Sequence, residues 1–249
     1  MKKTKDGSFS YVLGFLVFSV IFIAIGYSIC AVWEHLGKRT AATLATTSST
    51  DALTVVIDPG HGGRDGGAIG LSSAYEKELN LEISIILRDM LTASGVEVVM
   101  TRTEDIMLSS ETGGTLKNQD LRARRDIAES VESPLFVSIH MNAFPIEKYN
   151  GLEVYYSLND RDSKTVAEDL RGAVIKNLNT GDNRQIKPAG ENIYLLNSLT
   201  CPAILVECGF LSNQSDAERL NDPEYRQKLA LVIAMSLHKS ILEITAPSS

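Results

Sequence analysis

Cysteine is scarce, with three residues in 249, and one of them, Cys30, falls within an apolar stretch near the N-terminus. The other two, Cys201 and Cys208, are separated by what reads as a buried strand. An extended strand holds them too far apart to bridge, so they read as small core residues and not as a disulfide pair. Basic residues are in the minority too. Of 24 Lys and Arg against 31 Asp and Glu, five and two lie in the first 39 positions, which leaves 19 against 29 beyond them and a net charge of −10. An acidic surface excludes nucleic acid as a partner. Histidine is limited to four residues. His35 lies beside the apolar stretch and His238 follows Leu237 on the last amphipathic segment, so His61 and His140 are the two candidates for chemistry. Internal repeats and appended binding modules are absent. What is abundant is ordinary: 44% apolar and 22% charged residues exclude disorder for the bulk of the chain.

Residues 11–33 contain no charge and follow Lys2, Lys3 and Lys5. That run is long enough to cross a bilayer and longer than the apolar region of a cleaved signal. Residues 1–10 are therefore expected in the cytoplasm, 11–33 as a transmembrane anchor or uncleaved signal and 34–51 as a linker of small polar residues. The folded domain is expected over 52–245, exported from the cell interior, with a short tail at 246–249.

Within the domain, strand-like runs at 54–58, 95–101, 135–140, 152–157, 192–196 and 203–207 alternate with helical patterns. The first helix starts at Glu76 and turns Leu79, Ile83, Ile86, Leu87, Met90 and Leu91 inward. Others are expected over about 120–131, with Leu121, Ile127, Ala128 and Val131 inward, over 162–178 and over 223–244. The stretch 108–119 reads as a polar loop. Alternation of this kind gives an α/β fold, a mostly parallel (mixed) sheet with helices on both faces. The continuous apolar strands at 54–57 and 203–206 suit its covered centre.

In such sheets ligands gather at the carboxyl ends of the strands, where each following helix begins. His61 follows the first strand within a glycine-rich turn, His140 closes the third, Glu207 closes the last, and Glu76 opens the first helix. Two imidazoles and two carboxylates along one edge make the set a catalytic zinc site needs: three ligands, an open position, and one carboxylate left over as a base. Taken singly each residue has a plainer account. A His at a strand end is usually a hydrogen-bonded structural residue, and a Glu in a first helical turn is explained by the helix dipole. Glu207 is different, because a carboxylate between Ala-Ile-Leu-Val and Cys-Gly-Phe-Leu needs a cation, a donor or a proton. Glu78 and Glu82 share a separate helix face and read as a solvated stripe.

The segments Val56-Ile57-Asp58-Pro59-Gly60-His61-Gly62-Gly63, Tyr75-Glu76-Lys77 with Asn80, Ser138-Ile139-His140-Met141-Asn142 and Val206-Glu207-Cys208-Gly209-Phe210-Leu211 resemble, in order, the four motifs of the zinc-dependent N-acetylmuramoyl-L-alanine amidases of the amidase 3 type. The resemblance covers residues 54–242. It implies that His61, Glu76 and His140 bind one Zn²⁺, that Glu207 is the catalytic carboxylate, and that peptidoglycan, both its glycan strand and its stem peptide, is the substrate. Asp58 or Asn142 is expected to orient the histidines, Asp58 before Pro59 reading equally well as a turn residue, and Arg124 either to meet a stem-peptide carboxylate or to brace its helix, with the brace preferred.

The bare domain behind a hydrophobic segment is most similar to the germination-specific spore-cortex amidases. That likeness implies a place in the forespore intermembrane space, muramic-δ-lactam formation together with a polysaccharide deacetylase, and an activating lipoprotein partner. Two rivals have different chemistry: a membrane-tethered wall-binding module without turnover, and a zinc peptidase acting within the stem.

Overall fold

A computed structural model describes residues 53–71, 73–108, 115–178 and 184–246. The expected anchor and linker lie outside the described residues, and among the described ones no helix is long and apolar enough to cross a membrane.

Six strands form one mixed sheet in the order β2-β1-β3-β6-β4-β5. They are β1 (Thr54–Pro59), β2 (Val98–Met100), β3 (Pro134–Asn142), β4 (Glu153–Tyr156), β5 (Lys187–Pro188) and β6 (Ala203–Phe210). The first four in that spatial order run parallel, and β4 joins β6 antiparallel. The helices are α1 (Glu76–Ala93), α2 (Leu116–Glu129), α3 (Asp162–Leu178), α4 (Tyr194–Ser198), α5 (Gln214–Asn221) and α6 (Pro223–Ile244).

Successive side chains of the central strands point to opposite faces and both faces are covered. Val55, Ile57, Val137, Ile139, Ile204 and Val206 pack in one cluster with apolar residues of α1, α3 and α6. Val56, Phe136, Ala203 and Leu205 pack in a second, with Ala128 of α2 and with Leu195, Leu196 and Leu199 in and beside α4. The free Cys208 is a buried core residue and Cys201 is partly buried.

The expected elements differ from the observed ones most clearly at four places. The run 192–196 is no strand: α4 occupies Tyr194–Ser198. A short apolar run fits a buried strand and a buried helical turn equally well, and the sheet edge is taken by β5 instead. Helix α2 begins four residues before 120, where the Thr115 hydroxyl accepts from Asn118 N at the N-cap. Its buried residues are Gln119, Asp120, Arg124 and Ala128, so this helix turns charge toward the sheet. The fourth difference is α5, which has no counterpart in the expected elements. It is capped by the Asn213 side chain accepting from Asp216 N.

Candidate metal centre

Strand β1 ends at Pro59, and the chain turns through His61 at φ 61°, then Gly62 and Gly63, all in the left-handed region. For a residue with a Cβ that backbone costs on the order of 1–3 kcal/mol and persists only where its surroundings fix it. Two buried arginines fix it here. Arg124 donates to Pro59 O at 2.7 Å and to His61 O at 2.6 Å. Arg102 donates to Pro59 O and Gly60 O, both at 2.9 Å. Asn80 Nδ2 adds a further bond to Gly60 O at 3.1 Å. Arg124 is itself neutralised by Asp58 and Asp120, at 2.7 Å each, and is 2% exposed.

The turn delivers His61 to His140 on the neighbouring β3, with ring centroids 4.9 Å apart and edge to face. Glu76, 4% exposed at the start of α1, reaches between them. Its Oε1 lies 3.1 Å from His61 Nε2 and 2.9 Å from His140 Nδ1. Backbone amides hold both of its oxygens, Met141 N on Oε1 at 3.1 Å and Ala68 N on Oε2 at 2.8 Å. The helix dipole alone is thus not the reason for this glutamate. One donor atom from each of the three residues lies within 4.8 Å of the others. Ligands at tetrahedral angles around a zinc, bonded at about 2.0–2.2 Å, sit roughly 3.3–3.6 Å apart, so two imidazoles and one carboxylate in this arrangement fit a divalent ion.

The electrostatics agree with that fit. Burial works against the Glu76 charge, yet both imidazoles hold its carboxyl far below the usual range. Burial likewise opposes the charged form of His61, and Glu76 and Asp65 override it and raise the imidazole. Glycines leave room for the group: a Cβ on Gly60 would stand 2.3 Å from the His140 ring, and one on Gly67 would stand 2.5 Å from Glu76 Oε2.

Glu207 lies in β6 in register with His140, and β6 runs on to Phe210 instead of closing there. Its Oε2 is buried without a hydrogen-bond partner among the described residues. Burial pushes its carboxyl up to about 7; His140 opposes that, while Glu76 and Glu153 reinforce it. All four sequence-derived residues therefore meet at one sheet edge.

The expected orienters do not. Asp58 binds Thr101 Oγ1, Ser138 Oγ and Arg124, and Asn142 Nδ2 donates to Glu153, so neither makes a hydrogen bond to an imidazole. Asp65 is the carboxylate that stands beside an imidazole instead, its Oδ2 2.9 Å from His61 Nδ1 as an ion-pair partner. A second residue missed in the sequence is Glu153, 2% exposed and opposite Glu207 across the β4–β6 pair. Its carboxylate is closed by Arg184 at 2.8 Å, by Lys187, and by the Tyr155 hydroxyl at 3.0 Å. The i, i+4 spacing from His61 to Asp65 was the one available signal for the first; nothing local marks the second.

Comparison with known proteins agrees with this geometry. Residues 55–239 match the N-acetylmuramoyl-L-alanine amidase family. The chain is 38% identical over 193 residues to the germination-specific N-acetylmuramoyl-L-alanine amidase of Bacillus subtilis, covering 76% of this chain and 78% of that one. It is 37% identical over 182 residues to the B. subtilis amidase LytC, covering 72% of this chain and 34% of that longer protein. Among solved structures, the CwlD amidase of Clostridioides difficile in complex with the GerS lipoprotein superposes with a TM-score of 0.72 at 35% identity, covering 77% of this chain and 99% of that one. With the fold, the edge and the sequence in accord, the chain belongs to the N-acetylmuramoyl-L-alanine amidase family and is an enzyme of peptidoglycan.

Proposed function

We propose that His61, Glu76 and His140 hold one zinc ion and that Glu207 moves the protons in hydrolysis of the bond between the lactyl group of N-acetylmuramic acid and L-alanine. The observation that carries this reading is the convergence of three ligand atoms within 4.8 Å beside a partnerless buried carboxylate oxygen. When bound, zinc polarises a carbonyl and lowers the pKa of water from ~15.7 towards ~7. Glu207, whose buried Oε2 has no hydrogen-bond partner among the described residues, would accept a proton from the attacking water and return it to the departing alanine nitrogen. Water thus divides between the products, hydroxyl to the lactyl carbon and proton to the amine. Asp65 fixes the ring of His61, and Arg102 and Arg124 hold the turn that presents it.

The same reading places the enzyme at the spore cortex, where the freed lactyl carboxyl and an amine freed by a deacetylase condense, with loss of one water, to muramic-δ-lactam. The likeness to a germination-specific amidase supports that role, and the likeness to an amidase solved in complex with a lipoprotein supports a lipoprotein partner. The uncharged run at 11–33 supports a membrane anchor with the domain outside the cytoplasm.

A muropeptide digest resolved by mass spectrometry tests the activity. Intact stem peptides beginning at L-alanine, released only with zinc present, are expected. Peptide fragments with the lactyl bond intact would make the chain a peptidase, and no release would make it a binding module. Gly60→Ala tests the metal site separately. Its methyl would displace the His140 ring, so zinc affinity measured by competition with a chelator is expected to fall by roughly 10–100-fold. Unchanged zinc affinity would remove His140 from the ligand set.

A further inference from the structure

The cleft beside the metal centre, about 440 Å³, opens past His61, His140 and Glu207 and runs between α2 and the segment leading into α4. Its depth is closed by Asp58, Ser138 and Arg124, all buried and bonded to one another. These residues floor the arm. The stem peptide leaves the glycan as a branch and can enter such an arm end-on.

Apart from Glu207 at the catalytic edge, the charges lining the arm are nearly all spent. Asp58, Arg124 and Asp120 form a closed set, and Asp65 faces His61. Lys117 remains. It lines the cleft from the first turn of α2, is exposed, and makes no ion pair among the described residues. It lines the same cleft as His61, Asp65 and Glu207. Leu121, one turn further along α2, lines the same wall beside Ile193 and Leu195.

Resting on the amidase reading above, we propose that Lys117 is a specificity residue that binds the free α-carboxylate of the second stem residue, the glutamate after L-alanine, when the stem occupies this arm. Arg124, the other cation lining it, spends four of its five N–H donors on Asp58, Asp120 and two backbone carbonyls.

Two defined muropeptides test this, one with that carboxylate free and one with it converted to carboxamide. The wild-type enzyme is expected to favour the carboxylate by about 5-fold in kcat/KM, carried by KM and weakened by added salt. Lys117→Met should erase the preference and Lys117→Arg keep it, with zinc content and Tm unchanged in both. Equal rates on the two substrates in the wild type, or an equal loss on both in Lys117→Met, would overturn the assignment while leaving the amidase intact. No stem release from either substrate by any variant would instead overturn the amidase reading, and this assignment with it.

Discussion

Glu207→Gln is expected to slow release of stem peptides by ~10²–10⁴-fold while zinc content stays at the wild-type level. The substitution keeps shape and removes the proton acceptor, so a loss in kcat with little change in KM identifies proton transfer and not binding. Metal analysis separates this from a ligand role, because a fourth ligand would lose zinc with activity. A second readout comes from stability. The carboxyl stands near 7 in the folded chain, above its ordinary value of about 4.3, because burial disfavours the charge. Its contribution to stability is thus complete below ~4.3 and is lost as pH rises through 7. Glutamine carries no such penalty. In the metal-free protein, Glu207→Gln should raise Tm by several degrees at pH 8 and by nearly nothing at pH 4. Equal Tm values at pH 8 would mean that the carboxylate is solvated, and full activity would remove it from the mechanism.

Why these four residues were visible in the sequence follows from where they sit. A strand end is marked by its apolar run and a helix start by the onset of a 3.6-residue period, and His61, Glu76 and His140 stand at or next to such marks; Glu207 stood out as a carboxylate inside an apolar run. The topology that joins them was legible for the same reason, since parallel strands with intervening helices bring every carboxyl end to one side. Asp58 marks the boundary of what pattern can tell. Its place at a strand end was visible, but its partner Arg124 lies 66 positions away, and nothing local shows that it serves the arginine and not a histidine. Glu153 is hidden likewise, because an apolar strand with one carboxylate gives no sign of the cations that β5 and the chain before it bring. The error at 192–196 is of another kind: five residues are too few for either period to declare itself.

Arg124→Met is expected to destabilise the domain by about 3–5 kcal/mol, because it leaves Asp58 and Asp120 buried without their cation. For a domain of this size that corresponds to a fall in Tm of roughly 10 °C. The direction at acid pH follows from Asp58. Burial opposes its charge, but Arg124 and the Thr101 and Ser138 hydroxyls hold its carboxyl below the usual range. The stabilisation is therefore present above ~3.9 and is lost as pH falls through the lower folded-state value, so the deficit of the variant should narrow in acid. Replacing the partner as well separates a lost attraction from an orphaned charge: Asp58→Asn added to Arg124→Met should recover part of the Tm. The same substitution decides between the two roles open to this arginine. A brace also releases Pro59 O and His61 O, so the left-handed turn at His61 loosens and zinc affinity falls with stability. A substrate-binding residue would raise KM and leave both zinc affinity and Tm where they were. With every Arg124 nitrogen already donating inside the protein, the first result is the one the geometry demands.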